Sequence, residues 1–212
     1  MTIRVLLADD HALLREGLRS LLAAHPGISV VADVGDGREA LRRTEELKPD
    51  VLVMDVSMPG LNGIEAAHII RGRYPQTQIV MLSMHSSTEH VFRALRAGAL
   101  GYVLKESAAT EVIAAVQTVH AGQRYLSPVL RDAAATADPA QRAGPRESLS
   151  LRERQVLQLV VEGKSSAEIA RIVHLSPKTV ETYRSRLMKK LGVPDVPSLV
   201  KFAIQHGLTP PA

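Results

Sequence analysis

Five short apolar runs, IRVLLA, ISVVADV, DVLVM, QIVMLS and LGYVL, recur along the front of the chain and alternate with segments of helical periodicity. No other feature narrows the fold so far. Strands separated by helices pair in parallel, and each crossover packs its helix against the sheet. Runs that stay apolar, instead of alternating with polar residues, belong to strands covered on both faces. In the first helical segment Leu14, Leu18, Leu21 and Leu22 keep the i, i+4, i+7, i+8 spacing of one buried stripe, with Arg15, Glu16 and Arg19 off it. Asp36 with Glu39, and Asn62 with Glu65, read as caps that open the second and third helices. The expectation for residues 1–125 is an α/β doubly wound, five-stranded parallel sheet with helices on both faces. No G-x-G-x-x-G follows any of the runs, which removes the sequence signal for a dinucleotide site.

The pattern stops at SPVLRDAAATADPAQRAGPRE, whose three prolines and many alanines predict a linker over 126–147. Beyond it every periodic segment is helical. Ser150 with Glu153 and Ser165 with Glu168 are capping boxes, and Gly163 and Gly192 fall where helices should end. Residues 148–212 are therefore expected to form a second, all-α domain of four helices.

Charge follows the same division. Residues 1–125 carry 13 basic against 14 acidic side chains, residues 126–146 carry 3 against 2, and residues 147–212 carry 10 against 6. A polyanion would be met by the back end. The absence of cysteine, of a basic-then-apolar leader and of any apolar run long enough for a bilayer predicts a soluble cytoplasmic protein without disulfides or membrane association. Eight histidines are scattered without zinc-ligand spacing.

The run VLVM ends on a carboxylate, Asp55. In open parallel sheets ligands collect beyond the carboxyl ends of the strands, and those ends here carry Asp9 and Asp10, Asp55, Ser83 and Lys105. Taken singly, Asp10 can cap a helix, Ser83 can bond backbone and Lys105 can lie on the surface. Together, three carboxylates on one edge repel one another and raise one another's pKa unless a cation neutralises them, and oxygen-only ligands favour Mg²⁺. A carboxylate beside Mg²⁺, with a hydroxyl and an ammonium near it, is equipped to attack a phosphoryl group.

LLADDH, VLVMDVSMPGLNGIEA, IVMLS and GALGYVLK make residues 1–125 resemble the receiver domain of two-component response regulators, a flavodoxin-like fold. The resemblance implies that Asp55 is phosphorylated and that Asp9, Asp10, Asp55 and the Ser57 carbonyl hold Mg²⁺. It further implies that Ser83 and Lys105 contact the phosphoryl group and that the ring of Tyr102 is a switch that swings inward. The competing reading is a phosphatase with an aspartyl-phosphate intermediate and a helical accessory domain. Enzymes resembling the haloacid dehalogenases need a second acid two residues past the nucleophile, and that position is Ser57.

In SSAEIARIVHLSPKTVETYRSRLMKKLGV a helix from Ser165 to about Ile172, a short turn and a second helix capped by Ser176 with Pro177 first give helix-turn-helix grammar. Val180, Leu187 and Leu191 share one face of the second helix with Tyr183 beside them, and Lys178, Thr182, Ser185 and Lys189 the opposite one. The alternative is an ordinary amphipathic helix with a solvated side. This region is similar to the LuxR-type DNA-binding domain, so the whole chain resembles a NarL/FixJ-type response regulator. That resemblance implies promoter DNA, a sensor histidine kinase and a homodimer on activation as partners, with Lys178, Thr179, Glu181, Thr182, Ser185, Arg186, Lys189 and Lys190 as DNA contacts. Two positions depart from the commonest family pattern, Ser166 replacing Asn and Glu181 standing where many members have Lys. The last helix, with Val196, Leu199, Val200, Ala203 and Ile204, matches the one that pairs DNA-binding domains in the family.

Overall fold

The computed structural model describes residues 2–131 and 149–205. Residues 132–148, which hold most of the expected linker, the Ile204 side chain and residues 206–212 of the expected second domain lie outside the described residues. The described residues form two compact units, one on each side of the undescribed stretch.

In the first unit the elements run β1 (Ile3–Ala8), α1 (Ala12–Ala23), β2 (Ile28–Val34), α2 (Gly37–Leu47), β3 (Val51–Asp55), α3 (Gly63–Arg73), β4 (Gln78–Ser83), α4 (Thr88–Arg96), β5 (Gly101–Leu104), α5 (Ala108–His120) and β6 (Tyr125–Leu126). The sheet is parallel throughout, in the order β2-β1-β3-β4-β5-β6. Alternate residues of each strand face opposite layers, so the continuous apolar runs feed two cores. Leu6, Leu52, Met54, Ile79 and Met81 pack with Ala40, Ala66, Ile70, Val91 and Ala94 of α2, α3 and α4. Val5, Leu7, Val53, Val80 and Val103 pack with Leu18, Leu22, Val112, Val116 and Val119 of α1 and α5.

The expected five strands are six. After α5 the chain turns at Gly122 (φ 76) and Tyr125–Leu126 pairs in parallel with β5. The Tyr125 amide donates to Leu100 O and the Ser127 amide to Tyr102 O. Two residues are too short for a periodic signal, and what recruits them is the open edge of β5. Ser127 closes the contact by accepting from the Leu104 amide at 3.1 Å and donating to Glu111 of α5 at 2.6 Å. Residues 128–131 are helical and Leu130 is buried in the first core.

The second unit holds α6 (Leu151–Val161), α7 (Ser166–Val173), α8 (Pro177–Leu191) and α9 (Val196–Gln205). Both capping boxes form, with Ser150 and Glu153, and Ser165 and Glu168, satisfying each other's backbone amides. His174 in the left-handed region (φ 54) ends α7, and Ser176 accepts from the Thr179 amide to open α8. The core collects Val156, Leu157, Ile169, Val173, Val180, Leu187, Leu199 and Ala203. Of the apolar residues on α9, Leu199 and Ala203 are fully buried, whereas Val196 and Val200 are half-buried.

Candidate functional site

The ends of β1, β3, β4 and β5 converge on one buried constellation. Asp9 and Asp55 are each 2% exposed, Ser83 1%, and the Lys105 side chain 5%. Lys105 Nζ lies 2.7 Å from Asp55 Oδ2 and 2.9 Å from Asp9 Oδ2. Asp55 Oδ1 accepts from the Ser57 amide at 3.1 Å, and Asp9 Oδ1 from the His11 amide at 2.8 Å. Lys105 is thus no surface lysine. Asp10 does not cap α1, whose N-cap is His11 without a side-chain bond; Asp10 Oδ1 instead lies 2.8 Å from His11 Nδ1.

A glycine sets the position of Asp55. A Cβ at Gly63, the first residue of α3, would sit 1.9 Å from the Asp55 carbonyl oxygen, so the helix abuts the strand end only because no side chain intervenes. The Gly63 amide donates to Val56 O at 2.9 Å and Asn62 accepts from the Glu65 amide, which fixes the turn after the carboxylate.

Burial pushes the Asp55 pKa up to about 6, against the Lys105 ammonium and the Ser57 amide, with the Asp9 charge adding to the rise. Burial opposes the charged form of Lys105 as well, yet its two carboxylates hold its pKa above the ordinary lysine range. One ammonium answers Asp9 and Asp55, while Asp10 meets His11 instead. Asp9, Asp10, His11 and Asp55 each offer a ligand atom, all within 4.8 Å of one another, so the cluster has the composition and closeness to take a cation.

Ser83 Oγ accepts from the His85 amide at 2.9 Å, and the Tyr102 hydroxyl donates to the His85 carbonyl at 2.8 Å. One backbone unit therefore ties the hydroxyl to the aromatic ring. Tyr102 is fully buried, and that burial raises its pKa to about 12. Sequence reasoning missed His11, His85 and Gly63. The His of LLADDH and the polar loop MHSS after β4 were the available signals; for Gly63 only the tightness of LNG hinted at a close approach.

On α8, Lys178, Glu181, Thr182, Ser185, Arg186, Lys189 and Lys190 are exposed and Thr179 half-buried. Thr182 donates back to Lys178 O at 3.0 Å, and Thr179 Oγ1 meets Ser176 Oγ at 2.7 Å. Lys190 differs from the other lysines, because its ammonium lies 2.8 Å from Glu153 at the start of α6. The two departures from the family pattern meet each other, since Ser166 Oγ donates to Glu181.

Residues 5–117 match the response regulator receiver domain, and residues 147–203 match the luxR family of bacterial regulatory proteins. The transcriptional regulatory protein MctR of Rhizobium johnstonii is 37% identical over 206 residues, 97% of this chain and 95% of the relative. The response regulator UvrY of Escherichia coli K12 is 38% identical over 208 residues, 97% of this chain and 95% of that protein. Among solved structures, a LuxR-family two-component response regulator from Aurantimonas sp. SI85-9A1 is 40% identical with a TM-score of 0.61, over 64% of this chain and 96% of that one. The response regulator RcsB solved with DNA is 27% identical with a TM-score of 0.61, over 95% of this chain and 98% of that one. The chain belongs to the two-component response regulators that join a receiver to a LuxR-type DNA-binding domain. It is a phosphorylation-dependent transcriptional regulator.

Proposed function

We propose that this protein is a cytoplasmic promoter-binding factor switched by phosphorylation of Asp55, with a receiver over 1–125 that β6 and the buried Leu130 extend, a linker over the residues from there to 147 and a DNA-binding domain over 148–212. A sensor histidine kinase supplies the phosphoryl group. A carboxylate oxygen of Asp55 attacks phosphorus, the P–N bond to the kinase histidine breaks, and the bonding pair remains on the imidazole nitrogen. Asp9, Asp10, Asp55 and the Ser57 carbonyl would hold Mg²⁺, which when bound offsets the negative charge of the phosphoryl oxygens. Lys105 exchanges its contact with Asp55 for one with the phosphoryl group, and the Ser83 hydroxyl does the same with respect to the His85 amide. Because His85 also accepts from Tyr102, that exchange moves the aromatic switch. The changed receiver surface then favours a homodimer, in which the half-buried apolar side chains of α9 can pair two DNA-binding domains.

The observation that carries this reading is the buried Asp55–Lys105–Asp9 cluster, a set of charges that burial alone would not stabilise. A phosphatase acting on outside substrates would need an acid at Ser57 to protonate the leaving group; serine has none to offer, which favours a regulator over an enzyme. On DNA, the face of α8 that carries Lys178, Thr182, Ser185 and Lys189 enters the major groove. Incubation with acetyl phosphate and Mg²⁺, followed by intact mass measurement, tests the acceptor. The wild type gains one phosphoryl group and Asp55→Asn gains none; labelling that survives in Asp55→Asn overturns the assignment.

A further inference from the structure

Glu181 is the single acidic side chain on α8, in the company of Lys178, Arg184, Arg186, Lys189 and Lys190. A carboxylate on a helix that meets DNA is repelled by phosphate, so its presence calls for a local balance. The exposed lysines do not supply it. Glu181 Oε1 instead accepts from Ser166 Oγ of α7 and lies 3.3 Å from Arg184 Nη1, which in turn donates to Ser166 Oγ at 2.7 Å. Three side chains close a ring across the two helices of the helix-turn-helix. The Arg184 side chain is 20% exposed and that of Glu181 59%, so the cation lies toward the domain and the carboxylate toward solvent.

We propose that Ser166 and Arg184 are positioning residues that hold Glu181 as a base-reading acceptor for the exocyclic amino group of cytosine. The inference rests on the reading of α8 as the groove helix. A carboxylate only accepts hydrogen bonds, and the base donors in the major groove are cytosine N4 and adenine N6. Adenine presents the N7 acceptor beside N6, which repels the second carboxylate oxygen; cytosine has no such acceptor at that edge. With Oε1 engaged by the ring, Oε2 has no partner among the described residues and shares the exposed side of α8 with Thr182 and Ser185. Fixing the glutamate rotamer before binding removes an ordering cost that a free side chain would bear on the DNA.

The test is selection of sites from a random duplex pool by the full chain activated with beryllofluoride, followed by direct binding to the selected site and to single-base variants of it. The wild type selects C·G at one position of each half-site. Glu181→Gln shifts that position toward A·T, because a glutamine amide pairs with adenine N6 and N7, and Glu181→Ala loses the preference there, with discrimination falling on the order of tenfold. Ser166→Ala weakens discrimination at that position alone, and Ser166→Thr, which keeps the hydroxyl, restores it; thermal melting confirms that each variant is folded. If Glu181→Gln and Glu181→Ala select the wild-type base at every position, the inference is overturned, including the case in which Glu181→Ala merely binds all duplexes more tightly. Wild-type discrimination in Ser166→Ala overturns the positioning role. A wild-type pool without any motif overturns the groove reading of α8, and this inference falls with it.

Discussion

In the receiver, Asp9 and Asp55 meet Lys105 almost wholly out of solvent, whereas on α8 Lys178, Arg186 and Lys189 stand in water along one helix. The buried set comes from three strand ends far apart in the chain, and each member is held by another. The exposed set comes from a single helix and is ordered mainly by the backbone beneath it. Charges taken into a low-dielectric interior interact strongly and respond as a group, while charges in water are screened and act nearly independently. Substitutions in the first set should therefore have large, coupled effects, and substitutions in the second small, additive ones.

The largest expected effect is on the charge of Asp55. Its folded-state pKa of about 6 lies above the ordinary value of 3.8, so the associated stability is fully present below about pH 4 and is lost as pH rises through about 6. In metal-free buffer, Asp55→Asn should accordingly be more stable than the wild type at pH 8, by up to about 3 kcal/mol, and the difference should close as pH falls toward 4. Denaturant unfolding of both proteins across this range measures it. Millimolar Mg²⁺ at neutral pH should narrow the difference by stabilising the wild type through mass action. A difference independent of pH would mean that Lys105 and the Ser57 amide fully offset the burial of Asp55.

Next in size is a contrast between two glycines. Gly63→Ala drives a methyl into the Asp55 carbonyl and should lower receiver stability by about 2 kcal/mol while impairing phosphorylation. Gly192 ends α8 at φ 66 with open space around it, so Gly192→Ala carries only backbone strain, about 1 kcal/mol, and leaves phosphorylation unchanged. Thermal melting and acetyl phosphate labelling of both variants separate a misplaced nucleophile from simple loss of stability.

The smallest effects should lie on α8. Lys178→Ala should weaken cognate and scrambled duplexes alike and make the slope of log K against log salt shallower by roughly 0.9. Thr182→Ala should leave that slope alone and reduce discrimination by about 1 kcal/mol. Wild-type discrimination in both Thr182→Ala and Ser185→Ala would mean that α8 does not read bases in this register.

The two regions also differed in how far the sequence disclosed them. Sheet, helices and caps were legible because each rests on a local signal: an unbroken apolar run, a heptad-like stripe, or a Ser three residues before a Glu. Tyr125–Leu126 was not, since two residues carry no period and their pairing depends on the edge of β5. In the site, Asp55 and Lys105 could be placed on one sheet edge from strand order alone. The partnership of Ser83 and Tyr102 through the His85 backbone could not, because main-chain groups leave no mark in a sequence. The Ser166–Glu181 contact joins helices whose relative rotation periodicity does not define.

On the proposed mechanism, occupancy of the buried site governs what the exposed helix does on DNA. Its most direct test is the affinity of the full chain for a selected cognate duplex at fixed salt, with and without beryllofluoride, in the wild type and in Asp55→Asn. Beryllofluoride should strengthen binding by the wild type, with a parallel shift from monomer to dimer in sedimentation, and should leave Asp55→Asn unchanged. Equal affinity of the wild type in both conditions, with no change in mass, would mean that the receiver site does not control DNA binding.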